Sequence, residues 1–151
     1  MAEHLDFNFD LQLVFASMNG RVSAAINRRL GRNLRAKDLP ITPEQWTIMD
    51  VLWKGDGVSQ KYLCKMTCKD KPSMTRLLDN LVRQKLAKRK INPKSRRSNL
   101  IYLTDKGKEL ESATSDVIDK TLKEVFSGIS QEEMKNGQNT LRKVYDNIEE
   151  D

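Results

Sequence analysis

Between Ser59 and Val82 the sequence sets two short helix-forming stretches in tandem, a pattern that few folds accommodate. Ser59 is a residue type that caps a helix start, and Tyr62, Leu63 and Met66 follow as the apolar positions of a short third helix. Asp70 caps a fourth, with Pro72 at its second helical position, where a missing amide proton costs nothing. Met74, Leu77, Leu78, Leu81 and Val82 fall on one side of that fourth helix. At about 100° per residue Arg76 and Arg83 lie opposite this stripe, with Pro72, Asp79 and Asn80 near them and Ser73 and Thr75 on its flanks. Two short capped helices joined by a turn are the helix-turn-helix layout, and the exposed face of the second carries the residue types a major-groove reader needs.

The flanking sequence is also punctuated by helix signals. Leu11, Phe15, Met18, Val22, Ile26 and Leu30 follow three- and four-residue spacing, which predicts one long amphipathic helix fading near Lys37. Gly20 and Gly31 weaken it or let another helix approach closely. Thr42 and Gln45 form a capping box around Pro43, so a second helix starts there and ends at Gly55, with Trp46, Met49, Leu52 and Trp53 facing inward. Leu86 to Ile91 and Leu100 to Leu103 are short strand-like runs joined by a turn-rich linker with three cations and no acid, a β-hairpin with a basic tip. Thr104 opens a fifth helix, with Leu110, Val117, Ile118, Leu122, Val125 and Phe126 on its apolar side and its end at Gly128. Ser130 and Glu133 make another capping box, and Met134, Leu141, Val144, Tyr145 and Ile148 carry the last helix. The fold class is therefore mainly α with a small β-hairpin wing: one domain over residues 1–151, with a winged helix-turn-helix lobe at 42–103.

Charge is distributed unevenly. From Lys69 to Arg97 eleven basic residues stand against two acids, a local net of +9 in a chain of net charge +6. Such a segment suits a polyanion, since ordinary surfaces intersperse both signs. No apolar run approaches the roughly 20 residues that cross a bilayer. Met1 to Asp10 lacks the basic-then-apolar layout of an export signal, so a cytoplasmic protein is expected and Cys64 and Cys68 are expected to be reduced thiols. His4 is the single histidine and two thiols make a poor metal set, so neither a metal nor a cofactor is expected. Without a nucleophile-base arrangement or a Gly-rich phosphate loop, the sequence does not read as an enzyme.

These motifs together resemble the MarR (multiple antibiotic resistance regulator) family from about Leu11 to the C-terminus. Thr42-Pro43-Glu44-Gln45-Trp46 is similar to the family's entry to its second helix, and Ser73 to Leu81 to its recognition helix. Asn92-Pro93-Lys94-Ser95-Arg96-Arg97-Ser98, followed by Leu103-Thr104-Asp105-Lys106-Gly107, is similar to its wing and exit. The resemblance implies a sequence-specific transcriptional regulator, a ligand-responsive repressor that binds an inverted-repeat operator in double-stranded DNA as a homodimer. Residues 9–37 and 104–150 would supply the dimerisation helices. Independently, long apolar stripes in so small a chain have few partners of their own, so a second copy is a natural way to bury them.

Within this reading Lys71, Ser73, Thr75, Arg76 and Arg83 are the DNA-binding residues of the recognition helix. Arg76 is suited to a bidentate pair with guanine, the hydroxyls to phosphate, and Arg83 to the backbone. Arg97 and Arg96 would enter the minor groove, and Lys94 and Lys88 would meet phosphates. Asp79 would repel DNA, and the resemblance implies a wing-orienting role for it, holding a wing arginine that Arg97 fits. Ser95 and Asn92 stand where the family commonly has acids, and Lys85 and Cys68 where glycine is common. Family members commonly bind a small aromatic effector between dimer helices and DNA lobe; Phe15, Met18, Trp46, Met49 and Trp53 could line such a crevice, and equally they are ordinary core. The competing reading is a winged-helix domain for non-specific architectural DNA binding or protein contacts.

Overall fold

The computed structural model describes residues 11–149. Met1–Asp10, with the expected lack of an export signal and with His4, lies outside the described residues, as do the two C-terminal ones. The elements run α1 (Leu11–Ala36), α2 (Pro43–Lys54), β1 (Val58–Ser59), α3 (Gln60–Thr67), α4 (Lys71–Arg83), β2 (Ala87–Asn92), β3 (Ser95–Leu103), α5 (Asp105–Val125) and α6 (Gln131–Glu149).

Helices begin where capping chemistry places them. Thr42 Oγ1 accepts from Gln45 N at 3.2 Å while Thr42 N donates back to Gln45 Oε1 at 3.0 Å. Ser59, Asp70 and Thr104 accept from the backbone three residues on, and Ser130 exchanges two such bonds with Glu133. Each cap satisfies an amide that the helix itself leaves without a partner.

The sheet has three antiparallel strands in the order β1-β3-β2, one more than the sequence suggested. β1 is only two residues long, too short for alternation to register, and it forms because Gly57 N donates to Ile101 O at 2.7 Å and Leu103 N to Asp56 Oδ2 at 2.8 Å. The hairpin also differs from expectation. β3 reaches back to Ser95, so Arg96 and Arg97 lie on the strand rather than in an eight-residue loop, and the turn shrinks to Pro93-Lys94. Between the pairs Ile91↔Asn99 and Asn92↔Ser95 the register shifts, which leaves Arg96, Arg97 and Ser98 bulged from the ladder.

Met74, Leu77, Leu78 and Leu81 of α4 pack with Ile48, Met49 and Leu52 of α2, Leu63 of α3 and Ile101 of β3 in one core. Burying each such side chain contributes about 1.5–3 kcal/mol. Tyr62 and Met66, assigned to the apolar side of the third helix, are instead exposed: α3 is so short that Leu63 alone is fully buried, with Cys64 packed at the core's edge. α5 ends at Val125, before Gly128.

α1 and α5 cross beside this lobe, joined by Arg29 Nε to Glu124 Oε2 at 2.9 Å and Asn33 Nδ2 to Thr121 Oγ1 at 2.8 Å. Leu30 and Leu34 are buried, whereas Leu11, Leu13, Phe15, Met18 and Val22 are exposed. No residue of α6 is buried; Met134, Leu141, Val144, Tyr145 and Ile148 present their apolar surface to the outside. No helix among the described residues is long and apolar enough to cross a membrane.

Candidate nucleic-acid interface

The surface around α4 is shaped by the turns at its two ends. At the start, Cys68 adopts a left-handed conformation with φ of 51°, which reverses the chain between α3 and α4, and Lys69 N donates to Cys64 O at 3.1 Å. Cys68 is exposed and Cys64 packs partly against the core, both as free thiols. At the end, Lys85 takes φ of 59°, a conformation a side chain resists. It is imposed from outside the turn. Thr104 Oγ1 donates to Lys85 O at 2.6 Å, Thr104 N to Leu86 O at 3.1 Å, and Lys106 Nζ to Gln84 O at 3.2 Å. The start of α5 thus clamps the exit of α4 where glycine would otherwise be needed.

A second clamp fixes α4 against α2. Buried Gln45 donates from Nε2 to Gln84 Oε1 at 2.8 Å, and Gln84 Nε2 donates to Pro40 O at 2.6 Å. The helix is therefore held at its base while its far face is open.

That face presents Lys71, Arg76 and Arg83 exposed and Thr75 half-buried around one shallow depression; Ser73, also half-buried, lies outside it. Not all of these groups are equally free. Thr75 Oγ1 donates to Lys71 O at 2.9 Å and accepts from Gln60 Nε2 at 2.7 Å, so its proton is committed. Arg83 Nη1 donates to Asn80 Oδ1 at 2.9 Å. The Ser73 amide and hydroxyl hold the Asp70 carboxyl below the usual carboxylate range, and the charge of Arg76 lowers it further. Arg76 retains an unobstructed guanidinium on the crest of the helix.

On the wing, alternation along β2 separates the cations. Arg89 pairs with Ile101 and shares its core-facing side, whereas Lys88 pairs with Tyr102 on the opposite side. Lys90 Nζ stands 4.9 Å from the Tyr102 ring centroid. Lys94, Arg96 and Arg97 are exposed around the turn, which Asn92 shapes by accepting from Lys94 N at 3.0 Å and donating to Ser98 Oγ at 3.2 Å.

Asp79 does hold a wing arginine, but it is Arg89 and not Arg97. Arg89 Nη2 lies 2.5 Å from Asp79 Oδ1, across from α4 on the inner face of β2. Arg97, in the bulge near the tip, is directed elsewhere and keeps its charge exposed. Arg89 and Gln60 are thus site residues that sequence reasoning missed. For Arg89 the signal was present in the alternation, since its neighbour two back, Ala87, is buried.

The five residues expected to line an effector crevice fall in two settings within the chain. Met49 is fully buried and Trp53 is anchored from Nε1 to Gly107 O at 3.0 Å, so with Trp46 they belong to the core and its margin, while Phe15 and Met18 are exposed on α1.

The sequence model of the MarR family matches residues 39–98. Solved structures share the fold over nearly the whole chain. The Staphylococcus aureus MepR–DNA complex is 26% identical, with 92% of this chain and 98% of that one covered at a TM-score of 0.77. A point mutant of Escherichia coli MarR complexed with operator DNA gives 23%, 90%, 99% and 0.81 in the same order. A MarR transcriptional regulator from Methanosarcina mazei Go1 gives 22%, 89%, 95% and 0.76.

Proposed function

We propose that this chain belongs to the MarR family, whose sequence model matches residues 39–98, and that it is a sequence-specific DNA-binding transcriptional regulator, a repressor that reads an inverted-repeat operator as a homodimer. One observation carries the reading: α4 is clamped twice at its C-terminal end and presents Arg76 outward, with the Arg96-Arg97 bulge of the wing on the same lobe. The helix fits a major groove, and the wing cations the adjoining minor groove and phosphates. Lys71, Lys88 and Lys94 supply phosphate contacts, as do Ser73 and Arg83. Two relatives of the same fold were solved with DNA, one of them with operator DNA. The family is one of transcriptional regulators, and a duplex-DNA partner fits a cytoplasmic protein.

Support for the homodimer lies in the apolar faces of α1 and α6, which the lobe leaves uncovered. Such stripes are the material of a two-fold interface. A ligand-responsive element fits a different crevice from the one the sequence suggested. An open cavity of about 530 Å³ between α2 and α3 sets Trp46, Val51, Tyr62 and Met66 beside the Asp50–Lys54 ion pair, so it offers an aromatic molecule apolar contact and a charged rim.

Mapping protected DNA upstream of the protein's own gene tests the reading. The expected result is an inverted repeat with half-sites about one helical turn apart, held against competitor DNA. Uniform affinity for every duplex, decaying steeply with salt, would instead mark an architectural binder.

A further inference from the structure

α1 carries five arginines and no acidic residue over its 26 residues. Arg29 turns toward α5 and pairs with Glu124. The other four, Arg21, Arg28, Arg32 and Arg35, fall at about 100° per residue within a sector of about 60°, opposite the stripe of Ile26, Leu30 and Leu34. All four are exposed, and among the described residues no ion pair takes Arg28, Arg32 or Arg35.

The surroundings connect this row to α4. Arg28, Arg32 and Arg35 line a depression with Pro43 at the start of α2. Arg35 also borders a second depression whose other wall is Asn80, Arg83 and Gln84. Asn80 and Arg83 in turn border the depression that runs along α4 past Arg76 and Lys71. Three hollows therefore join edge to edge in one trough, with six cations along it. Gly31 marks the junction: Arg35 Nη1 and Pro43 Cγ would lie 3.4 and 3.5 Å from a Cβ placed there, ordinary contact distances, so both pack closely against this turn of α1. Of the two acids on the trough, Asp79 is already neutralised by Arg89, leaving Glu44.

We propose that the Arg28-Arg32-Arg35 row is a second duplex-DNA contact, gripping backbone phosphates beyond the segment that α4 reads. This rests on α4 being the reading helix. Parallel unpaired guanidiniums repel one another, and a polyanion laid along them removes that repulsion. From Arg28 to Arg35 the helix rises about 10 Å at about 1.5 Å per residue. That length spans about three phosphates of one strand at about 3.4 Å of axial spacing. Continuity with the α4 face selects DNA over an acidic protein or an RNA, because one strand can pass from α4 to α1 without leaving the trough.

The test measures binding of the full chain to a long mixed-sequence duplex over a salt series, beside the triple variant Arg28→Gln/Arg32→Gln/Arg35→Gln. The slope of log K against log salt is expected to fall by about 2–3 in the variant, about 0.9 for each phosphate released, with an unchanged thermal midpoint. The corresponding triple lysine variant should recover the slope. If the wild-type chain binds the duplex and the glutamine variant matches its slope and affinity, the row does not touch DNA. Loss confined to polyglutamate or structured RNA, with duplex binding intact, overturns the proposal equally. Failure of the wild-type chain to bind any duplex would remove the α4 reading itself, and this inference with it.

Discussion

The Arg89 guanidinium of β2 grips the Asp79 carboxylate of α4 at 2.5 Å, so the wing and the candidate reading helix are joined by a charge pair between residues ten apart in sequence. The pair is partly solvated, at 27% and 49% side-chain exposure, and contributes only about 0.2–1 kcal/mol to stability. Its value lies in orientation. Asp79→Ala and Arg89→Ala should each leave the thermal midpoint within a few degrees yet weaken operator binding, and the double variant should lose no more than either alone. A double-mutant cycle on affinity checks this; full additivity would mean that the pair does not set the wing's position.

Arg76 and the wing arginines should fail in different ways. Arg76→Ala is expected to cost about 1–3 kcal/mol and to relax selectivity at one base pair of each half-site. Lys94→Ala should weaken all sequences alike and lower the salt slope by about 1. Arg97→Glu should reduce operator affinity by at least about tenfold while sedimentation still finds dimers. Unchanged affinity in Arg97→Glu would remove the wing from the mechanism.

Gly107 is required by space and not by conformation. A Cβ there would lie 2.1 Å from the carbonyl oxygen of Leu86, in the clamp that holds the exit of α4. Because backbone cannot swing aside, Gly107→Ala should destabilise the fold by about 1–3 kcal/mol, visible as a drop of several degrees in thermal midpoint. Gly31→Ala, whose Cβ meets only the flexible end of Arg35 and the Pro43 ring at 3.4–3.7 Å, should be far milder. Equal effects would refute the steric account.

Asp70 gives a pH signature. Its carboxyl is held below the ordinary range in the folded chain, first by the Ser73 amide, then by the Ser73 side chain, with Arg76 adding attraction. A depressed carboxylate contributes stability that is present above its unfolded pKa and lost as pH falls through the folded one. The wild-type chain should therefore lose stability in acid more steeply than Asp70→Asn, which keeps the cap without titrating at that site. Parallel melting curves from neutral pH downward would contradict this.

The helices were legible in the sequence because their signals are local. Thr42 with Gln45, Ser59, Asp70, Thr104, and Ser130 with Glu133 each declare a start within four residues, and the α4 stripe identifies its own buried side. What escaped was non-local. β1 exists only because Ile101 and Leu103 lie beside it; Lys85 holds a left-handed turn only because Thr104 and Lys106 brace it. Pooling the charge outside the basic segment also hid α1, whose arginines were offset by acids in α5, α6 and the first ten residues.

Sequence alone determined the order of the helices and the hairpin, the exposed face of α4 and the basic character of the wing, since periodicity and capping act over a few residues of chain. Tertiary structure alone decided which arginine Asp79 holds, where Arg96 and Arg97 leave the ladder, and that Arg35 meets Arg83 around one hollow. Those outcomes depend on strand register and on helices docking across tens of residues, and neither leaves a trace in local spacing.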